Sequence, residues 1–410
     1  MDNNERGARK IIKGWVGFLQ RQESPFKVNI WRNLIKNFAT NLTYQYQPIY
    51  MTSLGASPMI LGYLNSLSGL VNTLLSIPTG ILADKFGIKR VLLLTMVIYL
   101  LSSIVFGLAF NWEIAAVGLI LSAVALILDR TSCPMICGST LATEERVTGM
   151  GICDTVSFFP QLIAPIIGAT LITYFGGMNA QGIRPLFWIQ VVGIAASLLV
   201  VWFRFTNPGS HTLGERAGVF SNISLILREG TMIKRWILMV MLGSFWWQVA
   251  FYTPLYAADI KGANQFIIGG MSAASTMVFV FLAIPLGHLA DTKGRKKMIL
   301  VGGFLMMLSY VLLIFARNDL TLIASGFLSG FSMTIGQSQL AIAVDLVPKK
   351  YMGSWFGLLG FFRGVVSIVS PIICGFLWSN ISPESVFWVI LLTILGSMLV
   401  LLTVPTSITR

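Results

Sequence analysis

Apolar runs alternate with short polar segments along the whole chain. Each run is close to the about 20 residues that a helix needs to cross a lipid bilayer. We interpret them as twelve spans, numbered span 1 to span 12 in chain order. The predicted bounds are 29–50, 58–82, 90–110, 113–139, 149–175, 186–204, 235–257, 265–288, 298–316, 320–345, 353–378 and 384–405. The pattern predicts an all-α integral membrane protein with 12 transmembrane helices.

The spans form two similar halves, because an eleven-residue pattern occurs twice. Residues 80–90 read GILADKFGIKR and residues 287–297 read GHLADTKGRKK, so that Asp84 and Asp291 are 207 positions apart. A duplicated unit of this length within an apolar chain is typical of transporters that are built from two halves. We therefore expect two pseudo-symmetric six-helix bundles.

The repeat also predicts the domain organisation. The expected parts are a cytoplasmic N-terminal segment (1–28), a first bundle (29–204), a cytoplasmic linker (205–234), a second bundle (235–405) and a cytoplasmic tail (406–410). Within the N-terminal segment, residues 7–23 place apolar side chains on one helical face and basic ones on the other. An interfacial helix under the inner leaflet fits this pattern, and a disordered basic tail is the alternative.

Composition and charge support a membrane protein and set its orientation. Charged residues are 11% of the chain, against roughly 25% in soluble domains. The net charge of +13 is unevenly placed, because only Arg184, Lys261 and Arg317 among the 29 Lys and Arg fall in loops on the side away from the N-terminus. This asymmetry predicts that both termini are cytoplasmic, and it argues against nucleic acid as a partner. We expect a multi-pass protein of the cytoplasmic membrane.

Enzymatic and cofactor chemistry is not indicated. The chain has no phosphate-binding loop for ATP and no recognisable nucleophile–base constellation. All four cysteines fall in predicted spans, with Cys133 and Cys137 one helical turn apart. We interpret them as small apolar packing residues, with a metal or redox pair as the alternative. No enzyme activity, cofactor or metal is therefore expected.

The duplicated loops resemble the signature of the major facilitator superfamily, G-x-L-a-D-r-x-G-r-[RK], which lies between the second and third helices. The matching residues are Gly80, Asp84, Gly87, Lys89 and Arg90 in the first copy and Gly287, Asp291, Gly294, Arg295 and Lys296 in the second. Ile88 departs from the pattern, since the family has a basic residue there. The resemblance implies that the two bundles alternate in exposing a central site to the two sides of the membrane.

These loop residues are candidates for conformational gating. Glycine permits a tight turn, and an aspartate at a helix end can accept bonds from backbone donors. The basic residues can pair with acids of neighbouring loops, such as Glu144, Glu145 and Asp345. Such ion pairs would stabilise one of the two conformations. The alternative is that the cations only set the orientation of the chain in the membrane. Pro165 and Pro371 are predicted helix bends, in degraded copies of a proline–glycine pattern of the family's antiporters.

Four ionisable residues stand out inside the predicted spans: Asp129, Arg130, Asp154 and Arg363. A charge at this depth costs about 2.5–3.5 kcal/mol even on lenient scales, so each is a functional candidate. Arg130 is predicted to line the substrate cavity, with neutralisation of Asp129 as the alternative. Asp129 and Asp154 are candidate proton carriers. We also expect Asp154 and Arg363 to pair across the halves when the cytoplasmic gate closes, the alternative being two unrelated local pairs.

Amides and aromatic side chains on spans 1, 7 and 10 complete the predicted cavity. The candidates are Asn37, Asn41, Tyr44, Gln45, Gln248, Tyr252, Gln337 and Gln339. This chemistry suits an organic solute that is stacked and hydrogen-bonded. Amide bonds between helices are the alternative for the asparagines.

The sequence therefore predicts a monomeric secondary transporter whose partners are a small organic solute, protons and membrane lipid. The preferred mode is proton-linked antiport that exports the solute. Uptake or facilitated diffusion of an anionic metabolite is the alternative. A non-transporting receptor or scaffold is the alternative from a different class.

Overall fold

The structure, a computed structural model, describes residues 21–141, 146–207, 231–347 and 352–405, and all regular secondary structure among them is helical. The spans are Ser24–Asn41 with Tyr44–Tyr46 and Gln47–Ser53 (span 1), Pro58–Phe86 (span 2), Ile88–Leu108 (span 3), Trp112–Thr140 (span 4), Arg146–Tyr174 (span 5), Ala180–Arg204 (span 6), Thr231–Val249 with Tyr252–Asp259 (span 7), Gln265–Lys293 (span 8), Arg295–Phe315 (span 9), Asp319–Ser329 with Ser332–Asp345 (span 10), Met352–Asn380 (span 11) and Pro383–Leu402 (span 12). The predicted interfacial helix, most of the linker and the C-terminal tail lie outside the described residues.

The helices confirm an integral membrane fold. Within the described residues, eight helices are long and apolar enough to cross a membrane, and a ninth results if the two pieces of span 7, bent by 47°, count as one. Spans 1 and 10 are also interrupted, which shortens their continuous helices. The count of twelve transmembrane helices therefore stays a prediction, while the all-helical fold is confirmed.

The breaks in spans 1 and 7 were not predicted, because the apolar pattern runs through them. They fall at similar places of the repeat, at residues 42–43 and 250–251, and the α-helix that follows each of them carries a proline, Pro48 or Pro254, in its first turn. Proline has no backbone N–H to donate to the preceding turn and is well suited to begin a helix. The duplicated prolines thus account for the positions of the duplicated breaks.

Turns at both ends of the bundles depend on glycine. Gly87 and Gly294 have φ of +82° and +102°, and Gly55 and Gly262 have φ of +98° and +68°. These left-handed conformations are readily adopted only by glycine. We call the end of the molecule where span 1 begins the near end and the opposite end the far end. Gly87 and Gly294 turn the chain at the near end, and Gly55 and Gly262 turn it at the far end.

Two buried tyrosines at equivalent repeat positions join the halves at the far end. Tyr46 of span 1 donates to the carbonyl oxygens of Pro165, at 2.8 Å, and of Gln265 in the second half, at 3.0 Å. Tyr252 of span 7 donates to the carbonyl oxygen of Pro58 in the first half at 2.8 Å. Gln265 and Pro58 are the first residues of spans 8 and 2, and they are themselves equivalent in the repeat. We call these three hydrogen bonds the tyrosine clamp.

Glycines beside the tyrosine clamp let the backbones of the two halves touch. A Cβ atom added to Gly62 would lie 2.5 Å from the carbonyl oxygen of Pro371, and one added to Gly269 would lie 2.8 Å from that of Pro165. Spans 2 and 11, and spans 5 and 8, therefore meet through small residues, as membrane helices that approach closely do.

The contacts between the halves extend from the far end to about mid-depth. Thr73 of span 2 lies against Gly364 of span 11, and the rings of Phe158 and Phe279 meet edge to face with centroids 4.4 Å apart. At 1.5 Å per residue these four positions are about 18–21 Å from the near ends of their helices. The far half of the interface is therefore closed in this conformation.

Replacing Gly62 with alanine is expected to prevent full closure of the far end, because the added methyl group would overlap the Pro371 carbonyl oxygen. The matched control is Gly360→Ala on span 11, where an added Cβ atom meets nothing within 4 Å. Spin labels at the exposed positions Ser57 and Ile381 would report the separation of spans 2 and 11 by double electron–electron resonance. We expect longer distances in Gly62→Ala alone, and an unchanged distribution in that variant would contradict the close approach.

Candidate functional site

A buried ion cluster lies inside the first bundle and joins span 1 to span 4. Arg32 Nη1 lies 2.7 Å from Asp129 Oδ1, and Lys36 Nζ donates to Asp129 Oδ2. The side chains are almost inaccessible, with exposed fractions of 1% for Arg32, 7% for Lys36 and 10% for Asp129. Both carboxylate oxygens of Asp129 are therefore occupied by cations of span 1. We call Arg32, Lys36 and Asp129 the ion cluster.

The neighbours of the ion cluster satisfy its remaining polar groups. Arg32 also donates to the side-chain oxygens of Asn29, at 3.1 Å, and Asn33, at 2.6 Å. Lys36 Nζ lies 5.7 Å from the centre of the Tyr99 ring on span 3. Charges removed from water are tolerated when they are paired and hydrogen-bonded in this way. With two cations and one anion, the ion cluster keeps a formal charge of +1.

Sequence reasoning missed Arg32 and Lys36. The charge asymmetry groups both residues with the cations on the side of the N-terminus, although they fall inside predicted span 1. The structure instead buries both side chains in the first bundle. Their spacing of four residues puts both side chains on one helical face. Together with Asp129 in another predicted span, that spacing was the available signal.

Arg130 follows Asp129 but is placed differently. Adjacent helical residues point about 100° apart, and the Arg130 side chain is exposed while Asp129 is enclosed. Among the described residues Arg130 forms no ion pair. Its charge acts on the hydroxyl group of Tyr44, a span 1 side chain that is 61% exposed. Arg130 thus has a free guanidinium near the polar face of span 1.

Arg363 occupies a comparable position in the second half. It is exposed and precedes Gly364, which touches span 2, so it lies at the edge of the interface between the halves. Arg130 is ten residues from the near end of its helix and Arg363 is eleven, which corresponds to about 15 and 17 Å. The backbone positions of Arg130 and Arg363 are therefore at similar depths in opposite halves. We call the space at this level, on the near side of the contacts between the halves, the central cavity.

The other cavity candidates are distributed over three environments. Asn37 and Asn41 are half-buried on the helical face that also carries Tyr44, and the Asn41 amide donates to the Asn37 carbonyl oxygen at 2.8 Å. Tyr252 is fully buried in the tyrosine clamp. Gln339 lines a small cavity inside the second bundle with Gly243.

For the remaining candidates the structure gives a position in the fold but assigns no role. Gln45 and Gln248 are half-buried, and the side chains of Gln337 and Asp154 lie outside the described residues. The pairing of Asp154 with Arg363 stays a prediction. Pro165 and Pro371 lie inside continuous helices, and the carbonyl oxygen of each is at a close contact between the halves.

The signature lysines bind within each half. Lys89 Nζ donates to the carbonyl oxygen of Trp202 at 3.0 Å, near the end of span 6. Its repeat equivalent, Lys296, donates to the carbonyl oxygen of Leu402 at 3.2 Å, at the end of span 12. A cation is favoured at the C-terminus of a helix, where carbonyl groups lack intrahelical donors. In this conformation the two lysines connect spans 3 and 6 and spans 9 and 12.

The other signature residues lie around the same turns. Arg90 and Gly287 are exposed, and Arg295 begins the helix of span 9. Gly80, Asp84, Asp291 and Asp345 lie within helices, but their surroundings are outside what the structure describes. Their role in gating stays a prediction.

Comparisons with known proteins agree with this architecture. A family model described as Major Facilitator Superfamily matches residues 34–318 and 262–409. The chain is 24% identical over 370 residues to the probable galactarate/D-glucarate transporter GarP of Escherichia coli K12, with 79% of this chain and 81% of GarP covered. It is 23% identical over 397 residues to the multidrug resistance protein MdtG of Yersinia enterocolitica, with coverages of 91% and 92%. The crystal structure of the nucleoside transporter NupG superimposes with a TM-score of 0.73 at 12% identity, covering 93% of this chain and 98% of NupG.

The helical fold and the comparisons define a multi-pass integral membrane protein that acts as a secondary transporter of a small solute. The chain belongs to the Major Facilitator Superfamily. The resemblance seen at the duplicated loops is thereby confirmed. The relatives are transporters rather than enzymes, in agreement with the expectation from the sequence.

Replacing Asp129 with asparagine is expected to destabilise the protein by about 3–5 kcal/mol, because Arg32 and Lys36 would stay buried without a counter-charge. Lys36→Met should cost less, since it leaves a one-to-one pair of Arg32 and Asp129. Arg130→Gln, at the next position but exposed, is the matched control and should stay within about 0.5 kcal/mol. Unfolding midpoints in detergent would compare the three variants, and equal midpoints for Asp129→Asn and Arg130→Gln would contradict the ion cluster.

Proposed function

We propose that the protein transports a small organic anion, whose acidic group binds Arg130 and Arg363 in the central cavity. The observation that carries this proposal is the pairing of Asp129 with Arg32 and Lys36. Two alternatives were open for Arg130: binding an anionic solute or neutralising Asp129. Because span 1 already neutralises Asp129, the Arg130 guanidinium remains available for a solute.

The chemistry of the central cavity favours a carboxylate. A guanidinium group presents two parallel N–H donors to a carboxylate, and bonds between charged partners are the stronger hydrogen bonds in proteins. The ion cluster adds a net positive charge one residue away from Arg130, which raises the local potential for anions. Asn37, Asn41 and the Tyr44 hydroxyl group would bind the neutral polar groups of the same solute.

The proposed transport cycle follows from the closed far end. In this conformation the solute enters and leaves at the near end. Exposure to the other side requires that the hydrogen bonds of Tyr46 and Tyr252 break and that the halves separate at the far end. An anion bound to both Arg130 and Arg363 would draw the halves together at the near end and so favour that change.

The orientation of the molecule is part of the proposal. We infer that both termini are cytoplasmic, since few cations fall in the loops on the side away from the N-terminus. The near end would then be the cytoplasmic end, and the conformation would face inward. We further propose that the protein works as a monomer, because each molecule contains both halves of the cavity.

Proton-linked export of a small organic compound is the second candidate. It is supported by the similarity to MdtG, and by the aromatic side chains of Tyr44 and Trp247, which are 61% and 47% exposed. Asp129 and Asp154 remain the proposed proton carriers. A proton on Asp129 would have to replace its bonds to Arg32 and Lys36, so that protonation would loosen span 1 from span 4.

Substitution of either cavity arginine by glutamine is expected to impair transport of organic anions. Each variant loses a charged hydrogen-bond donor, so the KM for a transported carboxylate should rise about 10- to 100-fold. Arg317→Gln removes an exposed cation in the loop between spans 9 and 10 and should leave the KM unchanged. The assay is flux into liposomes containing the purified protein, with a panel of mono- and dicarboxylates and neutral analogues.

The same panel separates the candidates. Flux of carboxylates with the expected change in KM supports anion transport, whereas equal flux of neutral or apolar compounds in Arg130→Gln would contradict it. Any specific flux excludes a non-transporting receptor or scaffold.

Proton coupling is tested by placing a pH-sensitive dye inside the same liposomes. If Asp129 or Asp154 carries the proton, its replacement by asparagine should abolish solute-dependent proton movement while solute exchange between the two sides continues, with Asp129→Asn assayed below its lowered unfolding midpoint. Proton movement that persists in both variants would exclude both carboxylates as carriers. Solute flux without proton movement in the unmodified protein would exclude proton-linked antiport.

A further inference from the structure

Three cysteines converge between spans 4 and 5, outside the residues assigned to transport. The Sγ atoms of Cys133, Cys137 and Cys153 all lie within 4.8 Å of one another, and those of Cys133 and Cys137 are 3.9 Å apart. Cys137 and Cys153 are buried, and Cys133 is partly accessible. The sequence suggested only the pair on span 4 and gave no sign that Cys153 joins it.

The fold explains why the three thiols meet. Cys133 and Cys137 are four residues apart and so share a face of span 4. Spans 4 and 5 are antiparallel neighbours, and Cys133 and Cys153 are each seven residues, or about 10 Å, from the near ends of their helices. Equal distance from the connecting loop places them at the same level.

We propose that Cys133, Cys137 and Cys153 form a three-thiolate site for a soft d10 cation such as Cd²⁺. The centre of an equilateral triangle with edges of 3.9 to 4.8 Å lies about 2.3 to 2.8 Å from each corner, a range that begins at the usual zinc–thiolate bond length and extends to the longer bonds of a larger soft cation. The described His, Cys, Asp and Glu side chains add no fourth ligand to this group. Thiolate sulfur selects soft ions, and three ligands suit those that accept trigonal coordination better than Zn²⁺, which prefers four.

One of the three sulfurs already has a polar neighbour, since the Asn29 amide donates to Cys153 Sγ at 3.7 Å. Burial disfavours free thiolates, so the charge of the bound cation must stabilise them. Binding breaks three S–H bonds, forms three S–Cd bonds and releases three protons to solvent. The product, Cd²⁺ with three thiolates, has a charge of −1, which the +1 charge of the adjacent ion cluster balances.

An occupied site would connect spans 4 and 5 next to the ion cluster. This inference does not depend on the proposed transport of an organic anion, since none of the three cysteines lies among the cavity residues. It replaces the interpretation of these cysteines as packing residues alone.

The test is titration of the purified, reduced full-length protein with Cd²⁺, followed by the ultraviolet thiolate-to-cadmium charge-transfer absorption. We expect one Cd²⁺ per chain and an unchanged titration in Cys374→Ser, which removes the remaining buried cysteine from the second half. Cys133→Ser, Cys137→Ser and Cys153→Ser should each weaken binding at least about tenfold. Binding that survives all three single substitutions, or that is lost in Cys374→Ser, would overturn the proposal.

Alkylation of the unsubstituted protein gives a result that does not depend on how the variants fold. Cd²⁺ should protect Cys133, Cys137 and Cys153 from a maleimide, as read by mass spectrometry, and should leave the labelling of Cys374 unchanged. Release of about three protons per bound Cd²⁺ is the expected accompanying signal. Equal labelling of the three cysteines with and without Cd²⁺ would likewise overturn the site.

Discussion

The pairing of Asp129 with Arg32 and Lys36 is the interaction on which the chemistry of the first bundle depends. Two cations and one anion, almost fully withdrawn from solvent, are stable inside a membrane only as a group, because each alone would lack a counter-charge. The group fixes the rotation of span 1 against span 4. Asn37 and Asn41 of the same helix remain half-buried, and the neighbouring Arg130 has no acidic partner among the described residues.

The duplicated sequence produces a second structural constraint, the contact between the two halves at the far end. Tyr46 and Tyr252 are equivalent in the repeat, and each donates to the first residue of a span in the opposite half. Gly62 and Gly269 are equivalent as well, and both sit against a proline carbonyl. One local arrangement, used twice, closes the interface symmetrically. Its few hydrogen bonds are a small barrier to opening, as a protein that alternates between two states requires.

Much of the fold was predictable from local patterns, because membrane helices need long apolar runs and the repeat gives their grouping into halves. The breaks in spans 1 and 7 could not be predicted from apolar periodicity, because that pattern does not show where a backbone N–H donor is missing. The duplicated prolines, Pro48 and Pro254, were the available signal. In the candidate site, Asp129, Arg130 and Arg363 were found because a charge within an apolar run is conspicuous. Arg32 was missed because it lies three residues inside the predicted start of span 1, where a cation is expected, and Lys36, one helical turn further on, was grouped with it. Cys153 joins Cys133 and Cys137 only through the contact of two helices, which no spacing along one helix can indicate.

The central claim is that Arg130 is available to an anionic solute because Asp129 is already neutralised. The most direct test is thermal stabilisation of the purified protein by a series of linear dicarboxylates and by the neutral polyols that share their carbon skeletons. A ligand that binds only the folded state stabilises it by RT ln(1 + [L]/Kd), so that the unfolding temperature rises as the ligand concentration exceeds Kd. We predict concentration-dependent stabilisation by at least one dicarboxylate of the series, none by the matching neutral polyol, and loss of the effect in Arg130→Gln. Equal stabilisation by acid and polyol, or an effect that persists in Arg130→Gln, would contradict the claim.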